Sequence, residues 1–139
     1  MSSATAMMMV ASAVVGAVGQ MKAASAASNA AEYNANLNRE RAIQANAQAA
    51  EQTKRFRRTS AKRQGALRAR GVSTDLLEDN AMQEELEAQS ILHGGKVKGA
   101  GFSNTANLDS ARAKSAKIEG YTGAGSTLLL GGAKAYAAR

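Results

Sequence analysis

Residues 66–87 read ALRARGVSTDLLEDNAMQEELE, and this stretch decides the fold. A basic run stops at Arg70, four uncharged residues follow (Gly71-Val72-Ser73-Thr74), and from Asp75 to Glu87 every charge is negative. Gly71 can end a helix in the left-handed conformation that a Cβ disfavours. Asp75 followed by Glu78 offers an N-cap and capping-box pair for the next helix. Both flanks are rich in strong helix formers. The stretch predicts a helical hairpin with a basic first arm and an acidic second arm.

The charge blocks extend outward from this turn. Arg39 to Arg70 holds 10 basic and 2 acidic side chains, and Asp75 to Glu87 holds 6 acids and no base. The whole chain carries a net charge of +7. That balance favours anionic partners such as nucleic acid, anionic lipid or an acidic protein. Pairing between the arms, or between neighbouring subunits, follows from the same blocks.

The 139-residue chain contains no proline and no cysteine. Missing proline removes the strongest helix breaker. Missing cysteine excludes a disulfide framework and a thiolate metal site. The 45% hydrophobic content is carried largely by alanine, about a quarter of all residues, and aromatics are only 4%. Alanine buries little area, so a free-standing core is thin. The predicted fold is all-α: an elongated helical hairpin with flexible Gly-rich joints, stabilised by oligomerisation.

Three regions result. Residues 1–19 form an apolar small-residue helix, residues 20–92 the long hairpin (basic arm 20–70, acidic arm 75–92), and residues 93–139 a Gly-rich joint with C-terminal helices. In the first arm Ala23, Ala27, Ala30 and Asn34 share one stripe, and Tyr33, Leu37, Ile43, Phe56 and Leu67 are the large apolar anchors. Gly65 is a candidate fray point. In the second, Leu77, Ala81, Ala88 and Leu92 share a face flanked by Met82 and Leu86. His93 to Gly101 (HGGKVKGAG) reads as a joint, Asn104 to Glu119 as a third helix with Ala106, Ala113, Ala116 and Lys117 on a small-residue surface, Gly120 to Gly125 as a break, and Thr127 to Ala138 as a final helix. No strand pattern and no fixed-period repeat stand out.

The ends are apolar. Met7, Met8, Met9, Val10, Val14, Val15 and Val18 give bulk to the first, and Leu128, Leu129 and Leu130 to the last. These residues are the candidates for membrane or tight intersubunit contact. The apolar N-terminal run is about 15 residues, below the roughly 20 needed to span a bilayer alone. It admits a packing helix, a membrane-seeking segment or a signal, and no Lys or Arg precedes it as a signal requires.

Enzyme chemistry finds no support. His93 is the single histidine and has no cysteine partner. The carboxylates from Asp75 to Glu87 fit a solvated or salt-bridged face better than a general acid/base pair. Gly123-Ala-Gly-Ser-Thr127 lacks the preceding strand and the lysine of a phosphate-cradling loop. Arg57-Arg58-Thr59-Ser60 matches a basic kinase target, a common chance pattern. No nucleophile, base and orienter come together, and no cofactor or metal is expected. The candidate anion-contacting residues, for DNA or lipid phosphate, are Lys54, Arg55, Arg57, Arg58, Lys62, Arg63, Arg68 and Arg70. Their contact with nucleic acid would be sequence-independent and salt-sensitive. Phe56 alone interleaves them, so base stacking is not expected.

Four segments carry a family resemblance: the Ala/Gln/Asn-rich Ala42 to Gln52, the basic Ala66-Leu-Arg-Ala-Arg-Gly-Val-Ser-Thr74, the acidic Asp75 to Glu87, and the tail Gly123-Ala-Gly-Ser-Thr-Leu-Leu-Leu-Gly-Gly-Ala-Lys-Ala135. Together with the apolar N-terminus they resemble the small internal virion proteins (core or DNA-ejection proteins) of short-tailed, T7-like phages. The resemblance implies a virion protein released with the genome and reassembled in the host envelope, at the outer membrane. It implies a homo-oligomer forming part of a conduit for genome delivery. The implied partners are other virion core or portal and tail proteins, host envelope lipid, and genomic DNA without sequence specificity. A fixed structural adaptor of the portal or tail, a holin-like membrane protein and a basic DNA-binding protein are the rival readings.

Overall fold

A computed structural model describes the backbone of residues 3–137, and the side chains of residues 11–137 except residue 135. Among the described residues there are two helices, α1 (Ser3–Ala69) and α2 (Thr74–Ala137), and no strand. The chain is all-α.

The turn between them is built as its residues dictate. Gly71 has φ +78° and is the only described residue with positive φ. Its N–H donates to the Arg68 carbonyl at 3.0 Å, and the Val72 N–H donates to the Leu67 carbonyl at 3.2 Å. These two bonds form a Schellman motif, which satisfies carbonyls left over at the end of α1. The Ser73 carbonyl accepts from the Leu77 N–H at 3.2 Å. Ser73 therefore occupies the N-cap position, two residues earlier than the Asp75–Glu78 reading places it. Asp75 lies in the first turn of α2, where its charge complements the helix dipole.

Both helices contribute to two compact units. Unit 1 comprises residues 1–36 and 106–139; unit 2 comprises residues 37–105. In unit 2, α1 and α2 pack through Ala42, Ala49, Thr53 and Ser60 on one side and Leu77, Ala88, Gly95 and Gly99 on the other. In unit 1, Ala17, Ser28 and Ala35 are buried with Ala106, Asp109, Ala113, Gly120 and Ala124. Apart from Leu77, every buried apolar side chain among the described residues is an alanine. Small side chains let two helix axes approach closely, so the backbones themselves supply much of the contact.

The buried positions do repeat. Ser28, Ala35, Ala42 and Ala49 are seven residues apart along α1, and Gly99, Ala106, Ala113 and Gly120 are seven apart along α2. A seven-residue spacing keeps one face on the partner helix, as in a coiled coil. The expected first-arm stripe is therefore displaced: Ala23, Ala27, Ala30 and Asn34 are exposed, as are the supposed anchors Tyr33 and Ile43. Leu37, Phe56 and Leu67 are half-buried. On α2 the face of Leu77, Ala81, Ala88 and Leu92 does turn inward, with Met82 and Leu86 outside.

The Gly-rich joints are absent, because α2 runs unbroken from Thr74 to Ala137 through all of its glycines. The physical reason is visible at the seam. A Cβ added to Gly95 would collide with the Ala49 methyl, one on Gly120 with the Ala24 methyl, and one on Gly131 with the Ala13 methyl. These glycines provide close approach within a helix, not a break in it.

Candidate interaction surface

In unit 1 a seam of small residues leaves the large apolar side chains outside. Val14, Val15, Val18, Met21, Tyr121, Leu128, Leu129 and Leu130 are all exposed in unit 1, Val15 at 73% and Leu129 at 76%. Met7, Met8, Met9 and Val10 lie outside the residues whose side chains are described. Val14, Val18 and Met21 share one flank of α1. Met21 and Ser25 border a shallow groove that Lys117, Gly120 and Tyr121 close from α2. Among the described residues, no helix is long and apolar enough to cross a membrane.

Polar contacts hold the two helices of unit 1 at their rims. Lys117 Nζ donates to Glu32 Oε1 at 2.8 Å. This contact, by hydrogen bond and then by charge, holds the Glu32 carboxyl below its ordinary value of 4.5. Thr127 Oγ1 lies 2.9 Å from the Gly123 carbonyl and 3.2 Å from Gln20 Oε1. Ser28 is wholly buried and its hydroxyl makes no close hydrogen bond, although it lies near enough to Glu32 to lower that carboxyl slightly. An unsatisfied buried hydroxyl costs stability.

The basic residues of unit 2 divide into paired and unpaired sets. Arg57 grips Glu85 with two parallel bonds, Nη2 to Oε1 at 2.6 Å and Nε to Oε2 at 3.2 Å. This fork is the strongest geometry available to a guanidinium and a carboxylate. It keeps the Glu85 carboxyl below its ordinary range, with Gln89 adding a weaker bond and partial desolvation opposing. Arg55 pairs with Glu51 on its own helix at 3.3 Å, and Gln64 donates to Glu84 at 2.9 Å across the seam. The expected pairing between basic and acidic arms thus takes place within one chain, but sparingly. Lys54, Arg58, Lys62, Arg63, Arg68 and Arg70 have no ion-pair partner among the described residues, and neither do Asp75, Glu78, Asp79 and Glu87.

One groove gathers part of this surface. Ala50, Thr53, Lys54, Arg57, Arg58 and Ala61 of α1, with Leu92 of α2, enclose a shallow channel of about 450 Å³. Its floor is apolar and its rim cationic. His93 lies in a neighbouring groove beside Leu86, Gln89, Ser90 and Lys96. No cluster that could hold a metal ion occurs among the described residues. The groove thus sets the cationic Lys54, Arg57 and Arg58 around small and apolar side chains. Comparison with known protein families, curated proteins and solved structures finds no match.

Sequence reasoning missed the interhelix role of Gly95, Gly99, Gly120 and Gly131. The signal was present as glycines at seven-residue intervals with the buried alanines, but glycine content by itself reads as flexibility.

Proposed function

We propose that this chain is a non-enzymatic assembly subunit of a phage particle, acting in genome delivery as part of a conduit across the host envelope. One observation supports this reading above the rest: the inverted distribution of side chains, with alanine, glycine and serine inside and valine, leucine, methionine and tyrosine outside. Exposed apolar side chains in such number mark surfaces that other molecules cover. A thin core also suits a protein that must leave a capsid through a narrow passage, because little stability is lost in loosening it. The resemblance to internal virion proteins supplies the biological setting: virion first, host envelope afterwards. Contact with lipid, in this reading, involves the apolar ends rather than a single spanning helix.

The rival with its own supporting observation is a basic DNA-binding protein, favoured by the unpaired cations of α1. A fixed adaptor of the portal or tail shares the assembly chemistry and differs in fate.

Quantitative mass spectrometry of purified virions, before and after triggered ejection, separates these readings. The chain is expected in full particles and lost from emptied ones. Retention in emptied particles assigns the adaptor role. Absence from both overturns the virion reading.

A further inference from the structure

We propose that the basic groove of unit 2 receives the outward acidic face of α2 from a second copy of this chain. The inference rests on the assembly reading above and names the surfaces that carry it.

The donor face follows from helical periodicity. The seam of α2 turns Leu77, Ala81, Glu84 and Ala88 inward. Asp75, Asp79, Met82 and Leu86 lie on the opposite side of the helix, spaced four, three and four residues apart, and all are exposed. Met82 is 67% and Leu86 61% exposed. This is a second seven-residue stripe on a helix whose first stripe is already occupied. A helix with two such stripes has a place for a second neighbour.

The receiving face shows the same spacing. Ala47, Ala50, Lys54, Arg57 and Ala61 follow at intervals of three, four, three and four, and all are exposed. Its small residues leave room for Met82 and Leu86, with Leu92 closing the floor. Lys54 and Arg58 stand on the rim with no ion-pair partner among the described residues, and Asp75 and Asp79 on the donor face have none there either. The donor stripe combines carboxylates with apolar side chains, and the groove combines cations with an apolar floor. Nucleic acid matches only half of that chemistry, since phosphates have no use for the floor.

The groove and the donor face are different surfaces of one chain, so two copies can exchange the contact as a two-fold pair or pass it on head to tail. Repeated head to tail, it closes into a ring or continues as a filament.

The test is charge-swap complementation in the full-length chain, read by sedimentation velocity across protein concentration and salt. Helicity is checked by circular dichroism. One variant reverses the groove (Lys54→Glu with Arg58→Glu) and the other reverses the donor face (Asp75→Lys with Asp79→Lys); none of these four side chains has an ion partner among the described residues. Wild type is expected to associate, and each variant alone to associate more than about tenfold more weakly, because like charges then face each other. Mixing the two variants is expected to restore association. If wild type assembles but neither variant weakens it, or the mixture restores nothing, this docking is overturned while assembly stands. If wild type stays monomeric at all concentrations, both fall. If it stays monomeric yet retains duplex DNA through Lys54 and Arg58, the groove is a phosphate surface.

Discussion

At the residue scale, glycines of α2 divide by what lies opposite them. Gly95 faces the Ala49 methyl, whereas Gly94 beside it has open space where a Cβ would go. Alanine is the better helix former in isolation. Gly94→Ala is therefore expected to stabilise the chain by about 0.5–1 kcal/mol. Gly95→Ala is expected to destabilise it by about 1–3 kcal/mol, because an overpacked seam must push two helices apart. Thermal unfolding of the pair, adjacent in sequence and opposite in sign, checks the packing directly. Gly71 is a different case. It has positive φ and open space around it, so Gly71→Ala is expected to cost roughly 1–2 kcal/mol through backbone strain alone. Asparagine, which tolerates this conformation better, should cost less.

At the element scale, the interface between α1 and α2 is a seam of small residues with polar clasps along its edge. Ala88 is fully buried, and Ala88→Leu is expected to destabilise the unit 2 hairpin by about 1–3 kcal/mol. Leu86→Ala, on the exposed side, should leave the hairpin's denaturation midpoint nearly unchanged at dilutions where copies do not meet. The clasps predict a pH dependence with a definite sign. Glu32 and Glu85 have carboxyls depressed in the folded state by Lys117 and Arg57. Their contribution is present above the unfolded carboxyl value and is lost as pH falls through the lower folded value. Stability should be flat from pH 7 to about pH 5 and decline below it. Glu85→Gln should make that decline shallower, a difference visible in denaturant midpoints measured across the acid range. Both pairs are exposed, so the effect is small.

At the scale of the whole molecule, the balance between inside and outside predicts behaviour with concentration. Each buried methyl contributes only about 0.8 kcal/mol, and eight alanines with Leu77 make up the buried apolar side chains among the described residues. Covering the exposed Met82, Leu86, Leu128 and Leu129 by a neighbouring copy would stabilise the folded state by mass action. The melting temperature is thus expected to rise with protein concentration. Melts over a hundredfold range of concentration check this. A melting temperature independent of concentration would remove assembly from the account of stability.

The sequence by itself determined that the chain is helical and where it turns. Missing proline, abundant alanine and the charge reversal at Gly71 are local signals, and helix formation is a local equilibrium biased by them. The inward face of Leu77, Ala81, Ala88 and Leu92 was legible for the same reason, since large residues announce their side. Only the tertiary structure decided that His93 to Gly101 and Gly120 to Gly125 remain helical, and that Ser28, Ala35, Ala42 and Ala49 rather than Tyr33 and Ile43 face the partner helix. Propensity counts the entropy a glycine loses in a helix, but the gain comes from a methyl on another helix dozens of residues away. That gain depends on which backbones approach each other, a quantity no local window contains.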